Sequence, residues 1–148
     1  MAATAKARTG HEMNTILLIE DEWAVRELFR IELASEGVNI VATGEADSIR
    51  EKMRVLNPDL VILDIYMKGK LRWDVLVEIK KENPKVPLIV VNDFDDYSKD
   101  PRFMLVSDCW IKSDRFGDLK QKIREVLQGK QKSLLQRQRG EKENGKEE

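Results

Sequence analysis

Ile16-Leu17-Leu18-Ile19-Glu20-Asp21-Glu22 decides the fold: four consecutive apolar residues run straight into three consecutive carboxylates. A short continuous apolar run bounded by polar residues reads as a strand buried on both faces, the signature of a parallel sheet. The acids then stand at its carboxyl end, the edge of an open α/β sheet where ligands bind. Anions crowded there repel by roughly 4 kcal/mol per pair at about 4 Å and an effective dielectric of about 20. Such a group needs either a raised pKa or a cation, and a hard divalent metal with oxygen ligands meets that need.

Outward from this stretch, Pro58-Asp59-Leu60-Val61-Ile62-Leu63-Asp64 repeats the pattern, a proline-introduced apolar strand ending in a carboxylate. If the two strands lie parallel and adjacent, Asp21 and Asp64 converge on one spot. Cys109-Trp110-Ile111 runs into Lys112, which would bring a cation to the same edge. Each acid alone has a plain explanation, since an acid after a strand often caps the next helix, and Glu22 is read that way or as solvated. The set of Glu20, Asp21, Asp64 and Lys112 is far harder to ascribe to capping.

The remainder of the chain alternates helix and strand patterns. Val25, Leu28, Phe29 and Leu33 recur at helical spacing and stop near Gly37; Val38 to Thr43 reads as a strand. Ala46, Ile49, Met53 and Leu56 mark a second helix, halted by Asn57-Pro58. Val75, Leu76 and Ile79 mark a third that ends before Pro84, and Val86 to Val91 is a fourth strand. Phe116, Leu119, Ile123, Val126 and Leu127 give the last helix, with Gly129 suited to its C-terminal cap. Strands alternating with helices require a parallel sheet covered on both faces. Net charge of −1 gives no global pull toward nucleic acid or a membrane surface. One cysteine cannot close an internal disulfide, which suits a reducing, cytoplasmic setting. No apolar run approaches the ~20 residues of a membrane span.

The segments ILLIEDE, PDLVILDIYMKG, VPLIVVND and WIKS, in that order and spacing, resemble the receiver domains of bacterial two-component response regulators. The resemblance covers about residues 13 to 129. It implies a flavodoxin-like (βα)5 doubly wound parallel sheet with strand order 2-1-3-4-5. It implies that Asp64 accepts a phosphoryl group and that Lys112 pairs with the phosphoryl oxygens. It further implies that Glu20 and Asp21 hold Mg²⁺, Asp21 directly and Glu20 through water, with Asp64 and the backbone carbonyl of Tyr66 as further ligands. The chemistry is coherent on its own terms: phosphoryl transfer needs positioning plus cations around the equatorial oxygens, and a carboxylate nucleophile, a metal and a lysine supply those.

Several positions depart from the family pattern. Asn92 stands where the family places a switch Thr or Ser, and Asp93 follows it where a small residue is usual. Cys109 replaces the aromatic switch residue, Lys68 the proline after Met67, and Ser113 the proline after Lys112. Between Asn92 and Lys112 only Arg102 to about Val106 remain for a fourth helix, introduced by Asp100-Pro101, so that helix is expected to be shortened to a turn or two. Trp23, Trp73, Tyr66 and Phe94 fall near the expected site edge. Bulky Tyr66 and Phe94 would hinder attacking water and prolong a phosphoryl adduct.

The expected organisation is a disordered extension over 1–12, the receiver over 13–129 and a charged, disordered tail over 130–148. His11, in the extension, lacks the neighbours that phosphotransfer or metal binding would need. The tail could not form a DNA-binding output domain, so taken alone the chain reads as a stand-alone receiver with an unknown downstream protein partner and its oligomeric state, homodimer included, open. The leading function is acceptance of a phosphoryl group on Asp64 from a histidine kinase or phosphotransfer protein, with no separate substrate and hence no enzyme in the ordinary sense. The alternative is a degenerate receiver serving as a phosphorylation-independent binding or dimerisation module. A haloacid-dehalogenase-like phosphatase is a distant third, because it wants a second carboxylate where Tyr66 stands.

Overall fold

The computed structural model describes residues 13–93, 99–112 and 114–129. The expectations for 1–12, Phe94, Ser113 and 130–148 therefore lie outside the described residues. Five parallel strands form one sheet: β1 (Thr15–Ile19), β2 (Asn39–Thr43), β3 (Leu60–Asp64), β6 (Leu88–Asn92) and β7 (Asp108–Ile111). Their spatial order is β2-β1-β3-β6-β7, the doubly wound order expected. Among the described residues, four α-helices accompany them: α1 (Trp23–Leu33), α2 (Ile49–Leu56), α3 (Trp73–Glu82) and α4 (Phe116–Leu127).

The apolar runs of the central strands β1, β3 and β6 are continuous because each feeds two cores, while the edge strands β2 and β7 feed the second of them. In β1, Leu17 and Ile19 pack toward α2 and α3, while Ile16 and Leu18 pack toward α1 and α4; Val61 and Leu63 alternate with Leu60 and Ile62 in β3 in the same way. Phe29, Trp110 and Phe116 lock the second core by aromatic contacts at 5.0–5.9 Å. Gly129 takes φ +71 just past α4, as a helix-ending residue does.

Three details differ from the sequence reading. Leu28 is not on the buried face of α1: Val25, Phe29 and Leu33 recur every four residues, and Leu28 lies one residue, about 100° of helix, away from that stripe and is exposed. Val38 and Val86 precede their strands rather than open them. Two short strands absent from the sequence reading, β4 (Tyr66–Met67) and β5 (Lys70–Leu71), form a hairpin after β3. Its two-residue turn has φ +50 at Lys68 and +77 at Gly69, positive at both central positions as a type I′ turn requires.

The abbreviated fourth helix is present. Among the described residues, the segment between β6 and β7 holds one five-residue 3-10 turn, Pro101–Leu105, and Asp100 caps it by accepting the Arg102 backbone N–H at 2.9 Å. Phe103 and Val106 anchor this turn in the core, and the Arg102 guanidinium lies 5.1 Å from the ring centre of Trp73. Trp73 is thus a buried packing residue beneath the turn.

Candidate functional site

Register assembles the site. Ile19 pairs with Leu63, so the next residues, Glu20 and Asp64, stand level at the carboxyl edge. Asn92 pairs with Ile111, and the Lys112 N–H donates to the Asn92 carbonyl at 2.9 Å, which brings Lys112 to the same edge. One carboxylate oxygen from each of Glu20, Asp21 and Asp64 falls within 4.8 Å of the others. Lys112 Nζ lies 3.0 Å from Asp64 Oδ2 and 3.3 Å from Glu20 Oε2. The four residues singled out from sequence do converge.

Electrostatics fit a group built around a cation. Burial pushes the Glu20 carboxyl up to about 8, and its hydrogen bond to Asp64 and that residue's charge push the same way. For Lys112, burial acts downward, but the hydrogen bond and charge of Asp64, with Glu20 and Asp93, outweigh it and hold the ammonium above the usual lysine value. Lys112 alone therefore does not neutralise the cluster: Glu20 still favours its proton. An all-oxygen set of three carboxylates suits Mg²⁺, which prefers hard oxygen donors and retains waters or phosphate oxygens in its shell.

Tyr66 stands in the hairpin between two hydrogen-bonded positions, the Met67–Lys70 pair and the Arg72 N–H to Ile65 carbonyl bond of 2.6 Å. Antiparallel ladders alternate, so Tyr66 takes no part in this one. Its N–H instead donates to Asp64 Oδ1 at 3.1 Å. In extended backbone the carbonyl of a residue points to the same side as its N–H, so the Tyr66 carbonyl faces the strand edge rather than Leu71.

Asn92 is buried, and among the described residues its Oδ1 has no hydrogen-bond partner, a costly state for a buried acceptor. Cys109 is half-buried in β7, its thiol pushed up chiefly by burial and then by the charge of Asp108. Glu22 occupies the N-cap position of α1 but makes no side-chain cap bond, and is solvated.

Sequence reasoning missed three contributors. Asp93 Oδ1 lies 3.8 Å from Lys112 Nζ, a third carboxylate on that ammonium after Asp64 and Glu20. The Lys68 N–H donates to Asp21 Oδ2 at 3.0 Å, a bond that a proline at this position could not make. Arg26 Nη1 donates to the carbonyls of Glu20 and Asp21. Lys68 carried a signal, as the residue standing in place of a proline; Arg26 carried none, being one polar position among several on α1.

A family model for the response regulator receiver domain matches residues 16–112. The chain belongs to the response regulator receiver domain family. Its similarity to solved structures agrees: TrrA of Thermotoga maritima, solved in complex with Mg²⁺-BeF, is 32% identical with a TM-score of 0.71, covering 77% of this chain and 99% of that one. The crystal structure of histidine kinase ThkA in complex with TrrA gives 33% identity and a TM-score of 0.70 over 78% and 99%. Among curated relatives, the probable transcriptional regulatory protein TcrX of Mycobacterium tuberculosis is 32% identical over 55% of this chain and 35% of its own length. CssR of Bacillus subtilis, a transcriptional regulatory protein, is 37% identical over 55% and 36%. The match to this receiver spans about a third of those two relatives. Among its described residues no helix is long and apolar enough to cross a membrane.

Proposed function

We propose that this receiver accepts a phosphoryl group on Asp64 from a histidine kinase or phosphotransfer protein, in a Mg²⁺-dependent reaction. The observation that carries the reading is the meeting of Glu20, Asp21 and Asp64 within 4.8 Å with Lys112 Nζ 3.0 Å from Asp64. An Asp64 carboxylate oxygen supplies the electron pair for the new O–P bond. The P–N bond of the donor phosphohistidine breaks, its electron pair stays on the imidazole nitrogen, and that nitrogen takes up a proton. Water later attacks phosphorus, the O–P bond breaks, and inorganic phosphate leaves with the Asp64 carboxylate restored.

Each residue has a part. The Tyr66 N–H fixes one Asp64 oxygen, and Lys112 is close enough to turn from Asp64 to the arriving phosphoryl oxygens. Glu20, Asp21, Asp64 and the Tyr66 carbonyl would hold Mg²⁺. When bound, the metal offsets the carboxylate charges and neutralises charge on the phosphoryl oxygens. The Asn92 amide can donate where the family uses a hydroxyl. The solved ThkA–TrrA complex supports a histidine kinase as the donor class. Cytoplasmic placement accords with such a donor, and the downstream partner is a protein.

The alternative, a phosphorylation-independent binding module, is favoured by Asn92, Cys109 and the 3-10 turn in place of a full fourth helix. Beryllofluoride, a phosphoryl mimic, separates the two. With Mg²⁺ it should alter the fluorescence of Trp23, two residues beyond Asp21, in the unsubstituted chain and not in Asp64→Asn. Equal responses in both, or none in either, would leave the binding-module reading.

A further inference from the structure

The backbone that carries Glu20 and Asp21 lies just beyond β1, past the last ladder pair with β3. Glu20, Asp21 and Glu22 are three adjacent acidic residues, and the charges they carry repel and tend to splay such a stretch. Lys112 opposes this from the side of the Glu20 carboxyl, and Arg26 from the side of the backbone. Arg26, in the first turn of α1, sets Nη1 2.7 Å from the Glu20 carbonyl and 3.0 Å from the Asp21 carbonyl. Its own backbone N–H donates to the Glu22 carbonyl at 3.0 Å, so the guanidinium is tied into the same short segment. Gly44, the residue after β2, lies against the guanidinium. A Cβ built on Gly44 would stand 2.5 Å from Arg26 Nη1 and 3.2 Å from the guanidinium carbon. Gly44 does not need a left-handed backbone, so the missing side chain serves space and not conformation.

We infer that Arg26 is a positioning residue for the acid pair: admitted by the bare Cα of Gly44, its guanidinium clasps the two carbonyls and holds the Glu20 and Asp21 carboxylates toward Asp64. The inference rests on the reading of these acids as the Mg²⁺ site. Arg26 touches no reacting atom. It acts through the backbone, and places a positive charge beneath three adjacent acidic residues. Glycine at 44 and arginine at 26 are then one device spread over two elements.

The test is the Mg²⁺ affinity of the full chain, by calorimetry at fixed ionic strength, beside thermal melts of the same samples. Arg26→Met should weaken Mg²⁺ binding by about 10–100-fold, the range seen when a group that orients metal ligands is removed. Gly44→Ala should weaken binding in the same direction with little change in melting temperature, because its methyl displaces only the far end of a flexible side chain. In the Arg26→Met background, Gly44→Ala should add no further loss, since the group it displaces is gone. Unchanged affinity in Arg26→Met, or an additive loss in the double variant, overturns the inference. If Arg26→Met does not fold, Gly44→Ala with unchanged affinity overturns it equally. Absence of Mg²⁺ binding by the unsubstituted chain would instead overturn the metal reading, and the inference with it.

Discussion

Glu20 bears the sharpest conflict in the molecule: a carboxyl 1% exposed, beside a second carboxylate, with one shared ammonium. Its proton is the metal-free answer to that conflict. The unfolded chain releases this proton near 4.5, whereas the folded chain keeps it to about 8. Between those values the folded state binds the extra proton, so stability falls as pH rises through the window. Metal-free protein should therefore melt at lower temperature at pH 8 than at pH 5, and Glu20→Gln should flatten that slope. Mg²⁺ should restore more stability at pH 8 than at pH 5. A slope unchanged in Glu20→Gln would assign the pH dependence to other groups. At this scale the sequence was most informative about charge: three acids and a lysine after apolar runs could be read directly. It was least informative about what the charges rest on, because neither the Arg26 clasp nor the Asp93–Lys112 approach follows from spacing along the chain.

The three central strands β1, β3 and β6 were legible because they are buried on both faces and so appear as near-continuous apolar runs, whereas the edge strands β2 and β7 are only partly buried and read as shorter apolar stretches. The capped turn at Asp100-Pro101 was legible because cap and first-turn proline are local signals, and Asp100 makes the cap bond. The β4–β5 hairpin was not. Strands of two residues carry no periodicity, and Met67-Lys68-Gly69-Lys70 lacks the Asn-Gly or Asp-Gly pair that marks a type I′ turn most strongly. The hairpin nonetheless matters, since its turn brings the Lys68 N–H to Asp21. Gly69 holds φ +77, a conformation costly for a residue with a Cβ. Gly69→Ala should lower unfolding free energy by about 1 kcal/mol in denaturant titrations. Stability equal to the parent would mean that the turn relaxes without loss.

Over the whole molecule, two cores on opposite faces of one sheet hold five strand ends in register, and the site is what that register brings together. The α1–α4 core depends on Phe29, 1% exposed and in edge contact with both Trp110 and Phe116. Phe29→Ala should cost about 3–5 kcal/mol, a large share of the ~5–15 kcal/mol that domains of this kind possess. A midpoint shift much smaller than that would show that α1 repacks. Because α1 also carries Arg26, loosening this core should weaken Mg²⁺ binding as well as the fold.

On the proposed function, Asp64 takes a phosphoryl group in a site completed by metal. The measurement to make is the intact mass of the full chain after incubation with acetyl phosphate and Mg²⁺. One added phosphoryl group, lost in Asp64→Asn and on addition of chelator, is the predicted result. An unmodified mass from folded protein, or a phosphoryl group that persists in Asp64→Asn, would contradict it.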